Sequence, residues 1–314
     1  MMQSIRDNKI YKWLTTIMVF IALVFAAWIT IRESSKIPWQ DLRFNPWFLG
    51  LSIIVSTIGY LPAIFAWRRI IRSYGIEKGF WEDLRNYVYT MLGTLVPGGI
   101  WQVAGRSVIY KRSQQSGFNI ALASLDEIIF FSLAGWFIFS LISLVFPNIN
   151  PLKSPIIGIV ILGIIFIATL PVCFNALHRF IFRIFKRDNT STIIKYSFKK
   201  LSICILWELI TLTIGSSAIY LLLLSFYPTT FQSLFYIAAA YCFSVSFANL
   251  FFWLPGSLIL KDSSMVFALT TFMPISFAIV CVIIIRIWTI FSVLVPFFLV
   301  WIIEKIKKKS ILKI

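Results

Sequence analysis

The sequence predicts an all-α integral membrane protein with about six full transmembrane helices and two re-entrant, broken-helix hairpins in an inverted repeat. The chain has 314 residues, 59% of them hydrophobic and 13% charged, about half the charged share of a soluble domain. Several apolar runs reach the ~20 residues that span a bilayer. Two of the apolar segments are broken by Pro97-Gly98-Gly99 and by Pro255-Gly256. No stretch is long enough for a separate soluble domain, so residues 1–314 are expected to form one membrane domain.

Hydropathy places the elements in order along the chain. The first helix is predicted at about 11–31; because this run is longer than the apolar part of a signal peptide and lacks a convincing cleavage site, we expect it to remain as a helix. Further full spans are predicted at about 47–67, 120–146, 154–175, 200–226 and 274–303. Broken, re-entrant segments are predicted at about 84–112 and 232–273.

The distribution of Lys and Arg predicts the orientation. If both broken segments leave on the side they entered, 23 of the 29 basic residues lie on the cytoplasmic side and only Arg286 lies within a span. This predicts a multi-pass protein of the cytoplasmic membrane of a prokaryote, with both termini cytoplasmic. It also predicts two repeat halves of opposite orientation, at about 47–146 and 200–303, with helices 11–31 and 154–175 peripheral.

The net charge of +17 indicates contact with membrane lipids, because the basic residues flank apolar spans. We therefore expect no nucleic-acid partner. The connector 176–187 alternates basic and large apolar residues, which suits either an interfacial segment or a solvated loop. The single histidine, His178, is expected at the membrane interface, with acid–base chemistry as the alternative. Four isolated cysteines predict packing residues, and neither a metal site nor a cofactor is expected.

Polar residues inside apolar segments are the candidate functional residues, because a charge at the centre of a membrane helix costs ~3 kcal/mol. Arg286 needs a carboxylate or a ligand anion, and Glu127 and Glu208 are its expected internal partners. The helix that starts near Ile100, together with Arg106, is expected to hold a phosphate. The alternative is that Pro-Gly only turns a hairpin and Arg106 reaches the interface. The candidates for binding the headgroup are Arg106, Gln102, Glu127, Glu208 and Arg286, and the secondary candidates are Asp126, Asn249, Lys261 and Asp262. The breaks are at Pro97, Gly98, Gly99, Pro255 and Gly256.

Two stretches, 97–106 and 121–127, together resemble the flippase-like transmembrane region of lysylphosphatidylglycerol synthases and their stand-alone relatives. Arg106 and Glu127 match the Arg and Glu of the family motif, whereas Ile128 stands where the family has a second Arg. The second half also matches at 254–256, and departs from the family's Pro-Gly-Gly-x-Gly. The sequence has no match to the cytoplasmic acyltransferase domain of the synthases, so the resemblance does not imply lipid aminoacylation.

These observations predict a lipid translocase for an anionic phospholipid, a modified phospholipid or a lipid-linked glycan headgroup. Membrane lipids are the expected partners, and homo-oligomers and a separate glycosyltransferase or synthase stay open. One alternative is a membrane-embedded glycosyl- or aminoacyl-lipid transferase with Asp126 or Glu127 as base. Another is an accessory scaffold for a separate synthase. The sequence contains no GxGxxG, Walker A, GxSxG, HExxH or CxxC signature, which favours transport over catalysis.

Overall fold

The computed structural model describes residues 44–95, 100–111, 117–149, 154–184, 195–227, 229–254 and 256–311. Within these ranges the chain is helical and contains no strand. The predicted helix at 11–31 and the break residues Pro97, Gly98, Gly99 and Pro255 lie outside the described residues.

The first part of the chain forms α1 to α6. These helices are α1 (Pro46–Ser73), α2 (Phe80–Met91), α3 (Ile100–Lys111), α4 (Gly117–Val145), α5 (Pro155–Thr169) and α6 (Pro171–Ile184). The second part forms α7 (Phe198–Leu224), α8 (Ser233–Asn249), α9 (Ser257–Leu269) and α10 (Ile275–Ile311). Short 3-10 turns at Leu92–Leu95 and Pro147–Ile149 follow α2 and α4.

Four helices are long and apolar enough to cross a membrane: α1, α4, α7 and the part of α10 at Ile275–Lys307. They coincide with the spans predicted at 47–67, 120–146, 200–226 and 274–303, so these four predictions are confirmed as long apolar helices. Local sequence signals set their starts. Asn45 accepts a hydrogen bond from the Trp47 amide while Pro46 occupies the first turn of α1. Ser197 caps α7 in the same way through the Lys200 amide.

The full span predicted at 154–175 is not one continuous helix, although the two helices there together are apolar and long enough to be a broken span. This region forms α5 and the start of α6, which are bent by 66° relative to each other. The physical reason is the Leu170-Pro171 pair, because the residue before a proline is pushed out of the helical conformation. Leu170 accordingly has the extended angles φ −65° and ψ 130°.

The connector predicted at 176–187 is mostly helical, as part of α6. Phe180 and Arg183 on α6 are exposed, whereas Phe174 and His178 are buried against the bundle. These two faces are what an interfacial helix requires. The solvated-loop alternative is therefore disfavoured within Pro171–Ile184.

Helices α1 to α4 and α7 to α10 form two halves that pack against each other. The most extensive helix–helix contact joins α1 and α7. The two helices approach closely at Gly59, where an added Cβ would lie 3.2 Å from Ile214 Cγ2. A second close contact joins α4 and α8, where a Cβ added to Gly135 would lie 3.1 Å from the carbonyl oxygen of Cys242. Each predicted broken segment is a helix pair: α2 with α3 in the first half, and α8 with α9 in the second.

Candidate functional site

The two halves enclose a cavity of about 360 Å³, a volume within the usual range of ligand pockets. Every described helix except α5 and α6 contributes to its wall. Both broken segments reach it, the first through Gln102 on α3 and the second through Asn249 and Lys261 on α8 and α9. The remaining polar lining includes Glu127 on α4 and the phenol rings of Tyr60, Tyr87 and Tyr241.

Arg106 lies directly behind the cavity wall and is paired with Glu127. Its two terminal nitrogens, Nη1 and Nη2, both donate to the Glu127 carboxylate, and the Nη2–Oε1 distance is 3.3 Å. The guanidinium carbon also lies 4.0 Å from the ring centre of Trp67 and 4.8 Å from that of Tyr87. Arg106 is only 1% exposed, so the alternative in which it reaches the membrane interface is wrong. Because both charges are buried, each depends on the other for compensation.

Glu208 lies close to this pair but takes no part in it. Its side chain is 1% exposed, and its Oε1 atom has no hydrogen-bond partner in the described part of the chain. It is within electrostatic range of Arg106 and Glu127. Glu208 does not line the cavity.

The expectation that Arg286 pairs with Glu127 or Glu208 is wrong. Arg286 Nη1 donates to Asp262 Oδ2, and the Arg286 side chain is about half exposed on the outside of α10. The reason is geometric: α9 packs directly against α10 and supplies a nearer carboxylate. Neither Arg286 nor Asp262 lines the cavity.

Lys261 points the other way from its neighbour Asp262, because adjacent residues of a helix differ by ~100° in direction. It lines the cavity, and its ammonium nitrogen lies 5.9 Å from the centre of the Tyr241 ring. Among the described residues, no carboxylate lies within salt-bridge distance of it. Within the described part of the chain, the cavity therefore presents one carboxylate that is already paired with Arg106 and one lysine that forms no salt bridge.

Two amide side chains complete the polar wall. The Gln102 amide nitrogen donates to the Met91 sulfur at 3.1 Å, across the first break. The Asn249 amide nitrogen donates to Ser132 Oγ at 3.1 Å and joins α8 to α4. A thioether is a weak acceptor, so the Gln102 amide can exchange this contact for a ligand oxygen.

Asp126 belongs to a different buried cluster. Its Oδ2 accepts hydrogen bonds from the hydroxyls of Tyr74 and Tyr196, each at 2.7 Å, and its Oδ1 lies 2.7 Å from His178 Nε2. His178, which the sequence places at the membrane interface, is fully buried against the bundle. This cluster ties the end of α1, the middle of α6 and the start of α7 to α4. Asp126 does not line the cavity. Sequence reasoning missed both tyrosines, because a tyrosine near a helix end resembles an ordinary interfacial aromatic residue.

Comparisons with protein families, with curated proteins and with solved structures found no match to this chain. The functional argument therefore rests on the cavity and its charges.

Proposed function

We propose that this protein is a lipid translocase that binds an anionic headgroup in the cavity between its two halves. The observation that carries the proposal is Lys261, a lysine that forms no salt bridge with any described residue and lies in a cavity lined by both broken segments. Broken helices of this kind are where transporters bind their substrates. An intramembrane ionisable residue that faces a cavity is a functional-site candidate by default.

The other lining groups suit a phosphate-bearing headgroup. Lys261 would bind the negative charge, while Gln102, Asn249 and Tyr60 would donate hydrogen bonds to phosphate or hydroxyl oxygens. Glu127 does not repel the anion fully, because Arg106 compensates its charge. In this proposal Arg106 does not contact the headgroup and acts by compensating the charge of Glu127. Phospholipid, modified phospholipid and lipid-linked glycan headgroups all share this chemistry.

The transferase alternative has less support from the same geometry. Asp126 is closed off from the cavity by its three hydrogen-bond partners. Glu127 reaches the cavity but is held by Arg106. A general base must be free to accept a proton from its substrate, and in the present arrangement neither carboxylate is free to do so.

The orientation is part of the proposal, with both termini in the cytoplasm and the two halves as an inverted repeat. Contacts at the end of α10 support a membrane interface there. Lys305 Nζ lies 3.8 Å from the Trp301 ring centre, and Lys307 Nζ lies 4.1 Å from the Trp81 ring centre at the start of α2. Aromatic and basic residues gather at the cytoplasmic headgroup level.

Vesicles with purified protein and labelled phosphatidylglycerol in one leaflet test the proposal. We expect Lys261→Gln to slow lipid movement roughly tenfold or more, because a charge-assisted contact to the phosphate contributes about 1.5–3 kcal/mol. Lys200→Gln is the matched control, since it removes an exposed lysine far from the cavity wall and should move lipid at the wild-type rate. If Lys261→Gln were as fast as the wild type, the proposed headgroup site would be incorrect.

A further inference from the structure

The Glu208 carboxyl is a buried ionisable group that the proposed headgroup site does not use. It lies on α7, fully buried, with an unpartnered Oε1. The titratable and charged side chains facing it are Arg106 on α3, Glu127 on α4, Tyr87 on α2 and, one turn earlier on α7, Cys204. Two carboxyl groups and one guanidinium thus lie together beside the proposed headgroup site.

The charges of this cluster do not balance if every carboxyl is ionised. Both terminal nitrogens of Arg106 bind Glu127, and its Nε is directed at Thr90 Oγ1 at 3.5 Å. None of its N–H groups donates to Glu208 Oε1, which has no hydrogen-bond partner in the described part of the chain. An ionised Glu208 would give the cluster a net negative charge away from water, with one oxygen lacking any donor, and such a state is strongly disfavoured. One proton shared by the two carboxyls brings the net charge to zero.

We propose that the Arg106–Glu127–Glu208 cluster binds one exchangeable proton and couples lipid movement to a proton gradient. This inference rests on the proposed translocase function. In the present structure the proton is on Glu208 and Arg106 pairs with Glu127. In the alternate state the proton leaves a Glu208 oxygen and binds a Glu127 oxygen, while Arg106 changes partner from Glu127 to Glu208.

Only Glu127 of the two carboxyls lines the cavity. Water that enters the cavity therefore reaches the proton when it is on Glu127 and is kept from it when it is on Glu208. If the cavity opens first to one side and then to the other, each cycle can take a proton from one side and release it on the other. The guanidinium remains charged throughout, and the proton is the only atom that is transferred.

The test is the leaflet distribution of labelled phosphatidylglycerol in vesicles with a pH difference of one unit and the membrane potential held at zero. With one proton coupled to each lipid, this gradient supports a leaflet ratio of up to about tenfold. We expect the wild type to approach that ratio and Glu208→Gln, which cannot carry the proton, to equalise the leaflets. If the wild type equalised the leaflets, coupling would be disproved while the translocase proposal stood. If no lipid moved at all, both proposals would fail.

An infrared measurement makes the proton assignment independent of transport. The C=O stretching band of a protonated carboxyl, which shifts in D₂O, should be present in the wild type at neutral pH and be lost in Glu208→Gln. Glu82→Gln is the matched control, because Glu82 is a partly exposed carboxylate paired with Lys78 and its removal should leave the band unchanged. A band that survives in Glu208→Gln would overturn the assignment.

Discussion

Replacing Arg106 with alanine is expected to destabilise the folded protein by about 3–5 kcal/mol, because it leaves a buried carboxylate without its partner. The substitution also removes the contacts of the guanidinium with Trp67 and Tyr87. Thermal unfolding in detergent, compared with the wild type, measures this loss.

A double variant distinguishes the effect of leaving one charge unpaired from the effect of removing the whole ion pair. In Arg106→Met with Glu127→Leu, both charges are replaced by apolar side chains of similar size, and such replacements are often neutral. We expect the double variant to recover most of the stability that Arg106→Ala loses. An unfolding temperature of Arg106→Ala equal to that of the wild type would show that the ion pair contributes no stability.

Replacing Asp126 with alanine is expected to cost about 3 kcal/mol or more, because three buried hydrogen-bonding groups lose their acceptor at once. The substitution should weaken the attachment of α6 in particular, as well as lower the stability of the whole fold. Amide hydrogen exchange in α6 should become faster, because His178 holds that helix to α4 through Asp126.

Asp126→Asn is the matched control for this prediction. Its amide oxygen has two lone pairs and can still accept the hydrogen bonds of both tyrosines, so its loss of stability should be smaller than that of alanine. If Asp126→Ala stayed within about 0.5 kcal/mol of the wild type, the range of an ordinary surface substitution, the cluster would not be holding α6 in place.

The long helices could be predicted from the sequence because their apolar runs exceed the bilayer thickness and their starts carry caps, such as Asn45 and Ser197. The bend between α5 and α6 was not predicted. Hydropathy averages over the whole run 154–175 and is insensitive to a single proline. The Leu170-Pro171 pair was the available signal.

The candidate residues could be found from the sequence, but their partners could not. Spacing along one helix predicts that Asp126 and Glu127 face different directions, and the two do bind different groups. Which helix supplies the opposite charge depends on how the helices pack and rotate. Arg286 therefore pairs with Asp262 on the adjacent α9, while Glu127 on α4 pairs with Arg106 of the first broken segment. Lys261 became the main candidate for binding the headgroup only when the structure showed that it lines the cavity.

A density map of the protein in nanodiscs that contain phosphatidylglycerol tests the central claim most directly. We expect density for a lipid headgroup inside the cavity, with its phosphate within about 4 Å of Lys261 Nζ, the distance of an ion pair. Lipid density confined to the outer surface of the helices, with Lys261 bound only by protein side chains, would contradict the account.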